Sequence, residues 1–505
     1  MIAKTFTGSL LGLTSHLISV ETHLQSNLPC FKTVGLPDGV IKESTERIKA
    51  AIQNSNFQFP QRKVVVNLAP ANFKKEGSGF DLPIAVSLLV ASQKVPEEKI
   101  KNTLFLGELS LNGEVKPIRG ALAHLLMAKK YGLQEVILPY ENLKEASLFT
   151  GIKIKGTRSL LETMNYLFEK GDLSSPQNQN FPISTHKKIR LEDIEGQTTG
   201  KRALQIAVAG GHHILFMGPP GSGKTLLAKS IPSILPLLSQ EEALEVSKIE
   251  SILQGHFSFS MEPPYVAPHH TISHTALVGG GSIPKPGLVT QAHHGVLFLD
   301  EVGEFEKRSL EVLRQVLEEK KITINRAQAS ETFPAHFSLI LATNPCPCGY
   351  FTHPEIACTC TPHMIHRYRS KLSGPILDRI DLHLEIQPIK NFFIKTKTEL
   401  TSEKVKQNII QAHTLQKHRF KNLNISKNSE IPPTHIFEIC KLDDESKKVL
   451  EKAINTFHLS HRAFHSILKL ARTIADLDHN HNIQKKHILE ALQFRSTIDK
   501  NRVFS

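Results

Sequence analysis

The stretch "ILFMGPPGSGKT", residues 214–225, decides the fold of the central part of the chain. An apolar strand runs into a glycine-rich turn that ends in a Lys-Thr pair, which is the order of elements in a P-loop. The glycines let the backbone N–H groups face phosphate oxygens, and the helix that follows adds the positive end of its dipole. Lys224 would neutralise the β- and γ-phosphates of ATP, and the Thr225 hydroxyl would bind Mg²⁺. The predicted nucleotide-binding residues are Gly218, Pro219, Pro220, Gly221, Ser222, Gly223, Lys224, Thr225 and Leu226.

Two further apolar segments end in polar residues that would complete a hydrolytic site. "HHGVLFLDE" (293–301) ends in adjacent carboxylates: Asp300 would hold the Mg²⁺ water shell, and Glu301 would polarise the attacking water. A strand that merely ends in acids is the competing interpretation, but a P-loop needs such a partner. "FSLILATNP" (337–345) predicts another buried strand, and its final Asn344 is placed to orient the water.

An arginine lies among apolar residues in "SGPILDRIDLHLEI" (373–386). Removing a guanidinium from water is costly unless it is paired, so Arg379 should have a specific role. We expect an arginine finger that reaches the γ-phosphate bound by a neighbouring subunit. An intrachain bridge to Asp378 or Asp381 is the alternative.

The pattern along the chain of 505 residues predicts about three domains of ordinary size. Residues 1–170 mix strand-like and helix-like runs, and the polar segment 171–188 reads as a linker. From 189 to 390, alternating strand and helix patterns indicate a parallel sheet with helices on both faces. Residues 391–505 have mostly helical periodicity and predict a helical lid.

The composition is basic, with 61 Lys and Arg against 48 Asp and Glu and a formal net charge of +13. This balance favours a polyanionic partner, although many bacterial proteins are simply basic. The start of the chain lacks the apolar segment and cleavage site of a signal peptide, and no run approaches the roughly 20 apolar residues that cross a bilayer. We therefore expect a cytoplasmic protein with no membrane partner.

Four of the six cysteines are concentrated in "CPCGYFTHPEIACTC" (346–360). In a reducing compartment, clustered cysteines more often hold a metal than form disulfides. Two Cys-x-Cys pairs can aim four thiolates at one ion, which is a tetrahedral zinc site. Redox pairing and unligated thiols are the alternatives, and the histidine pairs elsewhere in the chain are interpreted as packing or hydrogen-bonding residues. The predicted zinc ligands are Cys346, Cys348, Cys358 and Cys360.

Taken together, these motifs resemble the YifB/ComM family of magnesium-chelatase-like AAA+ ATPases over almost the whole chain. The resemblance implies an α/β AAA+ P-loop core with a helical C-terminal lid, preceded by a Lon-protease-like α+β domain. One departure is Val266 in "EPPYVAPHH" (262–270), where the family usually carries an arginine. The segments that carry the resemblance are "VGLPDGVIKESTERIKAAI" (34–52), "GQTTGKRALQIAVAGGHHILFMGPPGSGKT" (196–225), "PHH" (268–270), "GVLFLDE" (295–301), "SGPILDRIDL" (373–382) and "RAFHSILKLARTIADL" (462–477).

The Lon-like domain lacks the serine and lysine of an active peptidase. "EGSGFD" (76–81) places Gly79 at the serine position, with Ser78 one residue out of register. "RGALAH" (119–124) places Leu122 at the lysine position. We therefore expect no peptidase activity.

The family resemblance also implies a homohexameric ring in which each ATP site borrows Arg379 from its neighbour. Arg462 matches the second sensor arginine of the lid, acting either in its own subunit or across the interface. The segment "KKITINRAQASETFPAHF" (320–337) predicts a hairpin before the sensor strand, similar to the DNA-gripping pore hairpin of minichromosome maintenance helicases. The DNA candidates are Arg326 and, more weakly because each lysine could be an ordinary solvated charge, Lys320, Lys321 and Lys285.

Relatives that resemble ComM act as DNA branch-migration motors in natural transformation, so the resemblance implies an ATP- and Mg²⁺-dependent motor on single-stranded and branched DNA. A chelatase-type motor subunit acting on a protein partner is the main alternative. A DNA-binding scaffold without a motor is a third interpretation, which the complete hydrolytic set disfavours.

Overall fold

A computed structural model of the chain describes eight stretches of residues. Residues 178–187, most of the predicted linker, and residues 389–400, around the predicted boundary at 390/391, lie outside the described residues. The domain limits therefore stay predictions. Within the described residues, no helix combines the length and apolar character that a bilayer-spanning segment requires. The described stretches are 2–92, 97–177, 188–255, 259–281, 284–326, 330–388, 401–457 and 459–496.

The N-terminal part folds as a mixed sheet with helices packed on it. Its strands are β1 (Ile2–Leu11), β2 (Thr14–Gln25), β3 (Cys30–Val34), β4 (Lys63–Ala69), β5 (Thr103–Phe105), β6 (Glu108–Leu109), β7 (Val115–Lys116), β8 (Glu135–Pro139) and β9 (Lys153–Thr157). Its helices are α1 (Gly39–Asn54), α2 (Asp81–Ala91), α3 (Ala121–Lys130), α4 (Leu143–Ala146) and α5 (Leu160–Leu167).

Seven of these strands form one sheet in the order β3-β4-β2-β1-β5-β8-β9. Along β2, buried side chains recur at every second residue, as in Ile18 and Val20, because alternate residues of a strand point to the same face. Helix α2 is buried along its whole length, as its nearly continuous apolar sequence predicts. These elements enclose the core of the N-terminal part.

The central part contains the P-loop and a second sheet. Its strands are β10 (Ile214–Met217), β11 (Tyr265–Val266), β12 (Gly279–Gly280), β13 (Lys285–Pro286), β14 (Val296–Leu299), β15 (Lys321–Asn325), β16 (Ser330–Pro334), β17 (Ser338–Thr343) and β18 (Leu382–Glu385). Its helices are α6 (Thr198–Gly210), α7 (Lys224–Ser230), α8 (Gln240–Gln254), α9 (His274–Val278), α10 (Leu288–Gln291), α11 (Lys307–Glu319), α12 (Pro362–Arg369) and α13 (Gly374–Leu377).

The second sheet has five parallel strands in the order β11-β14-β17-β10-β18. Strands β10 and β14 are short apolar runs buried on both faces, as expected for parallel strands covered by helices. All five strands run the same way, so their carboxyl ends share one edge and their amino ends share the other. The common strand direction therefore determines at which edge of the sheet each functional residue lies.

Two antiparallel hairpins adjoin this sheet. One pairs β12 with β13, and the other pairs β15 with β16 directly before β17. The second is the hairpin that the alternation in "KITIN" predicted. The hairpins pack against each other, because a β-carbon at Gly279 would lie 2.7 Å from Ile324 Cδ1.

The C-terminal part is helical, with α14 (Ser402–Arg419), α15 (Ile436–Ile439), α16 (Asp444–Phe457), α17 (His461–Leu477) and α18 (Lys485–Ser496). The second half of α17 is buried on all sides, and the helix joins the same apolar core as α6 and β10, through residues such as Ile467, Leu204 and Phe216. The lid and the central sheet therefore share a continuous core.

Polar groups lock the lid to the sheet at the amino end of β18. The Asp381 carboxylate lies 3.0 Å from His212 Nδ1, and the Ser466 hydroxyl of α17 donates to its other oxygen. His212 Nε2 lies 2.8 Å from the Thr473 hydroxyl of the same helix. Although burial opposes ionisation, the hydrogen bond from His212 and the nearby histidines hold the pKa of Asp381 well below its usual range.

The N-terminal part rests on the hairpin side of the central part. Leu13, in the turn between β1 and β2, joins the apolar cluster that contains Phe333 of β16. The Gly120 N–H at the start of α3 donates to the Ser251 hydroxyl of α8 over 3.1 Å. These contacts fix the N-terminal part against the hairpin β15–β16 and α8.

Replacing Asp381 with Asn should lower the stability of the chain by about 2–3 kcal/mol, because it removes the charged acceptor of two partly buried hydrogen bonds. The folded pKa is depressed, so this stabilisation is present above the ordinary aspartate pKa of about 4 and is lost as the pH falls below it. Thermal melts at neutral and acidic pH measure the difference, with Asp378→Asn as the control of equal charge change. A melting temperature equal to that of the control at neutral pH would contradict the assignment.

Candidate active site

The P-loop lysine is buried beneath the turn that precedes α7. Its ammonium donates to the carbonyls of Gly218 and Pro219 over 2.7 and 2.8 Å, and to Asn344 Oδ1 over 3.2 Å. Burial lowers the pKa of Lys224 to about 8, while Asp300 and Glu301 oppose the shift. The turn needs glycine at its first position, because a β-carbon on Gly218 would lie 2.2 Å from the Ile386 carbonyl oxygen.

The predicted magnesium-binding groups lie in contact. The Thr225 hydroxyl, on the first turn of α7, donates to Asp300 Oδ2 over 2.8 Å. The other Asp300 oxygen accepts from the Glu301 backbone N–H over 2.9 Å. A hydroxyl and a carboxylate next to a phosphate-binding turn are oxygen ligands of the kind Mg²⁺ takes in nucleotide sites. These residues therefore fit the ion and would supply its protein ligands.

Glu301 follows β14 in a backbone conformation that few side chains adopt. Its φ is +49°, in the left-handed region, and its carboxylate is about half exposed at 55%. His270 Nδ1 lies 3.4 Å from Glu301 Oε2. The sequence interpretation gave His270 only a packing or hydrogen-bonding role, and "PHH" next to β11 was the one signal that could have linked it to this carboxylate.

The parallel sheet brings these groups together at one edge. Lys224, Asp300 and Asn344 each follow the carboxyl end of a strand, and β10, β17 and β14 are neighbours in the sheet. Ligands bind at the carboxyl ends of strands in open parallel sheets. The described edge can thus hold the phosphates, the metal and the attacking water of ATP hydrolysis.

Arg379 and Arg462 lie at the opposite edge. Arg379 precedes β18, whose first residue, Leu382, pairs with Ile214, the first residue of β10. A strand of four residues spans roughly 13 Å, so the sheet separates both arginines from the P-loop of their own chain. Arg462 opens α17, and its Nη1 donates to Glu318 Oε1 over 3.3 Å.

The intrachain partner of Arg379 is Glu318, rather than the Asp378 or Asp381 of the sequence alternative. Its Nη2 donates to Glu318 Oε1, and its Nη1 donates to the Pro375 carbonyl over 2.5 Å. Both arginines line a cavity of about 560 Å³ at the amino edge, together with residues at the start of β10, β14 and β17.

The DNA candidates fall into two groups. Arg326 lies one residue after β15. Its guanidinium is close to β12, since a β-carbon on Gly280 would lie 3.3 Å from Arg326 Nη2. Lys285 is exposed on β13 and Lys321 is exposed on β15. Lys320, by contrast, forms an ion pair with Glu430 of the lid, so its charge already has an intrachain partner.

The four clustered cysteines converge as a zinc site requires. Cys346 Sγ lies 3.3 Å from Cys348 Sγ and 3.6 Å from Cys358 Sγ, close to the separation of about 3.8 Å expected around a tetrahedral zinc. The Cys348 and Cys360 backbone N–H groups donate to the sulfurs of Cys360 and Cys358 over 3.4 Å. Four sulfurs that converge on one point are the donor set of a structural zinc site, so the residues fit zinc chemically as well as geometrically.

Glu245, His293 and His294 form a second group of potential metal ligands. The His293 Nδ1 accepts the His336 backbone N–H over 3.1 Å, so a neutral His293 carries its proton on Nε2. That Nε2 faces Glu245 Oε2 at 3.0 Å and donates to it. A metal there would require a doubly deprotonated ring, so this group is a hydrogen-bonded tie, as the histidine interpretation predicted.

The Lon-like region lacks a catalytic pair at the expected positions. The Ser78 hydroxyl donates to Glu108, and Leu122 is buried with no group to activate a nucleophile. Lys75, a buried lysine nearby, donates to the Phe73 carbonyl over 3.0 Å. The absence of peptidase activity stays a prediction of the sequence.

Family models cover most of the chain. "Magnesium chelatase, subunit ChlI" matches residues 190–393, "Subunit ChlI of Mg-chelatase" matches 20–142, and "Magnesium chelatase, subunit ChlI C-terminal" matches 399–495.

Curated relatives match nearly the whole length of the chain. Competence protein ComM of Haemophilus influenzae is 39% identical over 505 residues, 98% of both chains. The uncharacterized protein YifB of Escherichia coli is 40% identical over 495 residues, 97% of this chain and 96% of its own. The chain belongs to the YifB/ComM family of magnesium-chelatase-like AAA+ ATPases.

A further relative is similar to about a third of this YifB/ComM-family chain. Lon protease 2 of Bacillus subtilis is 32% identical over 193 residues, 33% of this chain and 35% of its own. The architecture is thus a Lon-like region, an AAA+ core with a parallel sheet and a helical C-terminal region, as the sequence predicted. The family and the assembled P-loop edge support ATPase activity.

Replacing Glu301 with Gln should lower ATP turnover by at least about 100-fold, because an amide cannot polarise the attacking water. ATP binding should persist, since the P-loop itself is unchanged. Phosphate release and binding of a fluorescent ATP analogue measure the two effects. Glu304→Gln, an exposed carboxylate in the next turn, is the control, and equal turnover in both variants would exclude the role of Glu301.

Proposed function

We propose that this protein is an ATP-driven ring motor that moves branched DNA independently of its sequence. It would act on recombination joints during natural transformation. The observation that carries the proposal is that the P-loop residues and the two arginines lie at opposite edges of the AAA+ sheet. The P-loop edge would bind ATP, and the arginine edge would complete the site of the next subunit. A homohexamer closes such a head-to-tail arrangement into a ring.

The arginine edge supports a ring in which each subunit needs its neighbour for ATP hydrolysis. Arg379 and Arg462 are on the same side of the chain, so both would approach the ATP of one neighbour. Guanidinium groups stabilise the charge that develops on a transferring phosphoryl group, and one supplied in trans makes hydrolysis depend on the ring. ATP and Mg²⁺ are the cofactors of this site.

The two adjoining hairpins support contact with DNA. Arg326 and Lys285 are exposed on neighbouring hairpins, and the chain carries a formal net charge of +13. Exposed cations bind phosphates without reading bases, which suits a motor that must pass any sequence. We propose Arg326 as the main contact, with Lys285 and Lys321 in support and Lys320 joined instead to the lid.

The name of one relative, competence protein ComM, supports natural transformation as the process in which this motor would act. A magnesium-chelatase-type motor acting on a protein partner is the second candidate, favoured by the chelatase family models. The Lon-like region and the basic hairpins favour the DNA motor over that candidate.

ATP-dependent strand exchange on a synthetic three-strand junction tests the motor. The intact protein should resolve the junction, and Lys224→Ala should bind DNA but leave the junction in place, because it cannot use ATP. If neither protein binds or moves DNA, the chelatase-type function is favoured.

Replacing Arg326 with Ala should weaken DNA binding about tenfold, equally for different sequences, and lower the salt dependence of binding. Lys452→Ala, an exposed lysine of α16 far along the chain from the hairpins, is the control. Fluorescence anisotropy over a range of salt concentrations measures both effects. Unchanged binding by the Arg326 variant would remove the hairpin from the proposed DNA path.

We also propose that Cys346, Cys348, Cys358 and Cys360 hold a structural zinc. The cluster begins two residues after Asn344 and precedes α12, so the ion would brace the segment between the sensor strand and Arg379. Zinc here would perform no hydrolysis, since four thiolates leave no open position on the metal.

Elemental analysis of the purified protein should find about one zinc per chain. Cys348→Ser should lose it, whereas Cys30→Ser, an exposed cysteine outside the cluster, should retain it. Intact mass and thiol titration identify the alternatives. A mass lowered by disulfide formation, or six reactive thiols without metal, would contradict the zinc assignment.

A further inference from the structure

We propose that Glu318 is a positioning residue that holds Arg379 and Arg462 as a pair for the ATP of the neighbouring subunit. The inference rests on the proposed ring ATPase and adds to it a residue outside every motif of the sequence. Glu318 lies near the end of α11 and reaches both arginines from a third element of the fold.

Both guanidinium groups converge on the same atom. Arg379 Nη2 and Arg462 Nη1 each donate to Glu318 Oε1. Two arginines gathered around one anionic oxygen have the arrangement in which they could bind one phosphate group. Glu318 therefore holds the pair in the geometry that a γ-phosphate would require.

The pair needs such a counter-charge. Burial lowers the pKa of Arg379, and the positive charge of Arg462 lowers it further, whereas Glu318 opposes both effects. Although its slight burial opposes ionisation, hydrogen bonds from Arg462 and Arg379 keep the pKa of Glu318 below its ordinary value. Without the carboxylate, the two cations would repel each other and the half-exposed Arg462 would swing into solvent.

The arginines remain able to receive a ligand. Arg379 Nε is buried without a hydrogen-bond partner among the described residues. The Glu318 side chain is 47% exposed, so the carboxylate can move into water when a phosphate takes its place. Holding the pair in place beforehand lowers the entropy lost when each ATP is hydrolysed.

The first experiment compares Glu318→Gln with Glu319→Gln, an equal charge change at the next residue of α11, where Gln315 donates to the side chain. Glu318→Gln should lower kcat about tenfold with KM for ATP unchanged, because the P-loop of the same chain is intact. Glu318→Asp, which keeps the charge, should recover part of the loss. A fall in melting temperature without a fall in kcat would show a merely structural bridge and overturn the proposal.

The second experiment mixes Glu318→Gln with Lys224→Ala chains. When the two variants are mixed in equal amounts, some sites combine the intact P-loop of the first variant with the intact arginine pair of the second. Such sites should restore about a quarter of the wild-type ATP turnover per chain. If Glu318 instead serves the P-loop of its own chain, the turnover should be about one-twentieth of the wild-type value. The lower rate, or a kcat raised by Glu318→Gln, would overturn the proposal.

The wild type and Arg379→Ala separate this inference from the proposed function. If the wild type hydrolyses ATP, Arg379→Ala abolishes hydrolysis and Glu318→Gln behaves as Glu319→Gln, only the role of Glu318 is wrong. If the wild type hydrolyses no ATP with DNA present, the ring ATPase fails, and the inference fails with it.

Discussion

The parallel direction of five strands in the AAA+ sheet is the constraint on which the rest of the structure depends. Because all carboxyl ends share one edge, Lys224, Asp300 and Asn344 meet although long stretches of chain separate them. The same rule sends Arg379 to the other edge, since it precedes a strand rather than follows one. One chain therefore presents two unlike surfaces, and the proposed ring is the arrangement that brings them together.

In the proposed ring, a conformational change would have to pass from one subunit to the next through the lid. The polar contacts at the start of β18 hold this lid against the core. Asp381 connects His212 of the core to Ser466 of α17, a few residues after Arg462. Deeper in the lid, Asp476 accepts from Arg419 over 2.8 Å and from Arg472 over 2.9 Å. Buried charges that are paired in this way resist separation, so the lid and the arginine edge would respond to a neighbour as one rigid unit.

The Lon-like region has a complete core although its sequence predicts no catalytic pair. Gly79 and Leu122 stand at the positions that the resemblance assigns to the nucleophile and base of an active protease, yet the sheet and α2 form a complete core. The region instead contacts the AAA+ core, since Leu13 belongs to the apolar cluster that contains Phe333 of the hairpin β15–β16. A surface that touches the hairpin can stabilise its orientation, which is a use that requires shape and apolar area rather than a reactive group.

The sequence by itself determined the P-loop, the acidic end of β14, the sensor Asn344 and the cysteine cluster, because each is a local pattern whose spacing carries its chemistry. It also predicted the hairpin β15–β16 from alternation alone. Only the tertiary structure decided that Glu318 joins Arg379 and Arg462, residues 61 and 144 positions away. The tertiary structure likewise decided two pairings, one between His270 and Glu301 and one between Lys320 and Glu430. Contacts between distant segments follow from how the strands and helices pack, and no spacing along one chain records that packing.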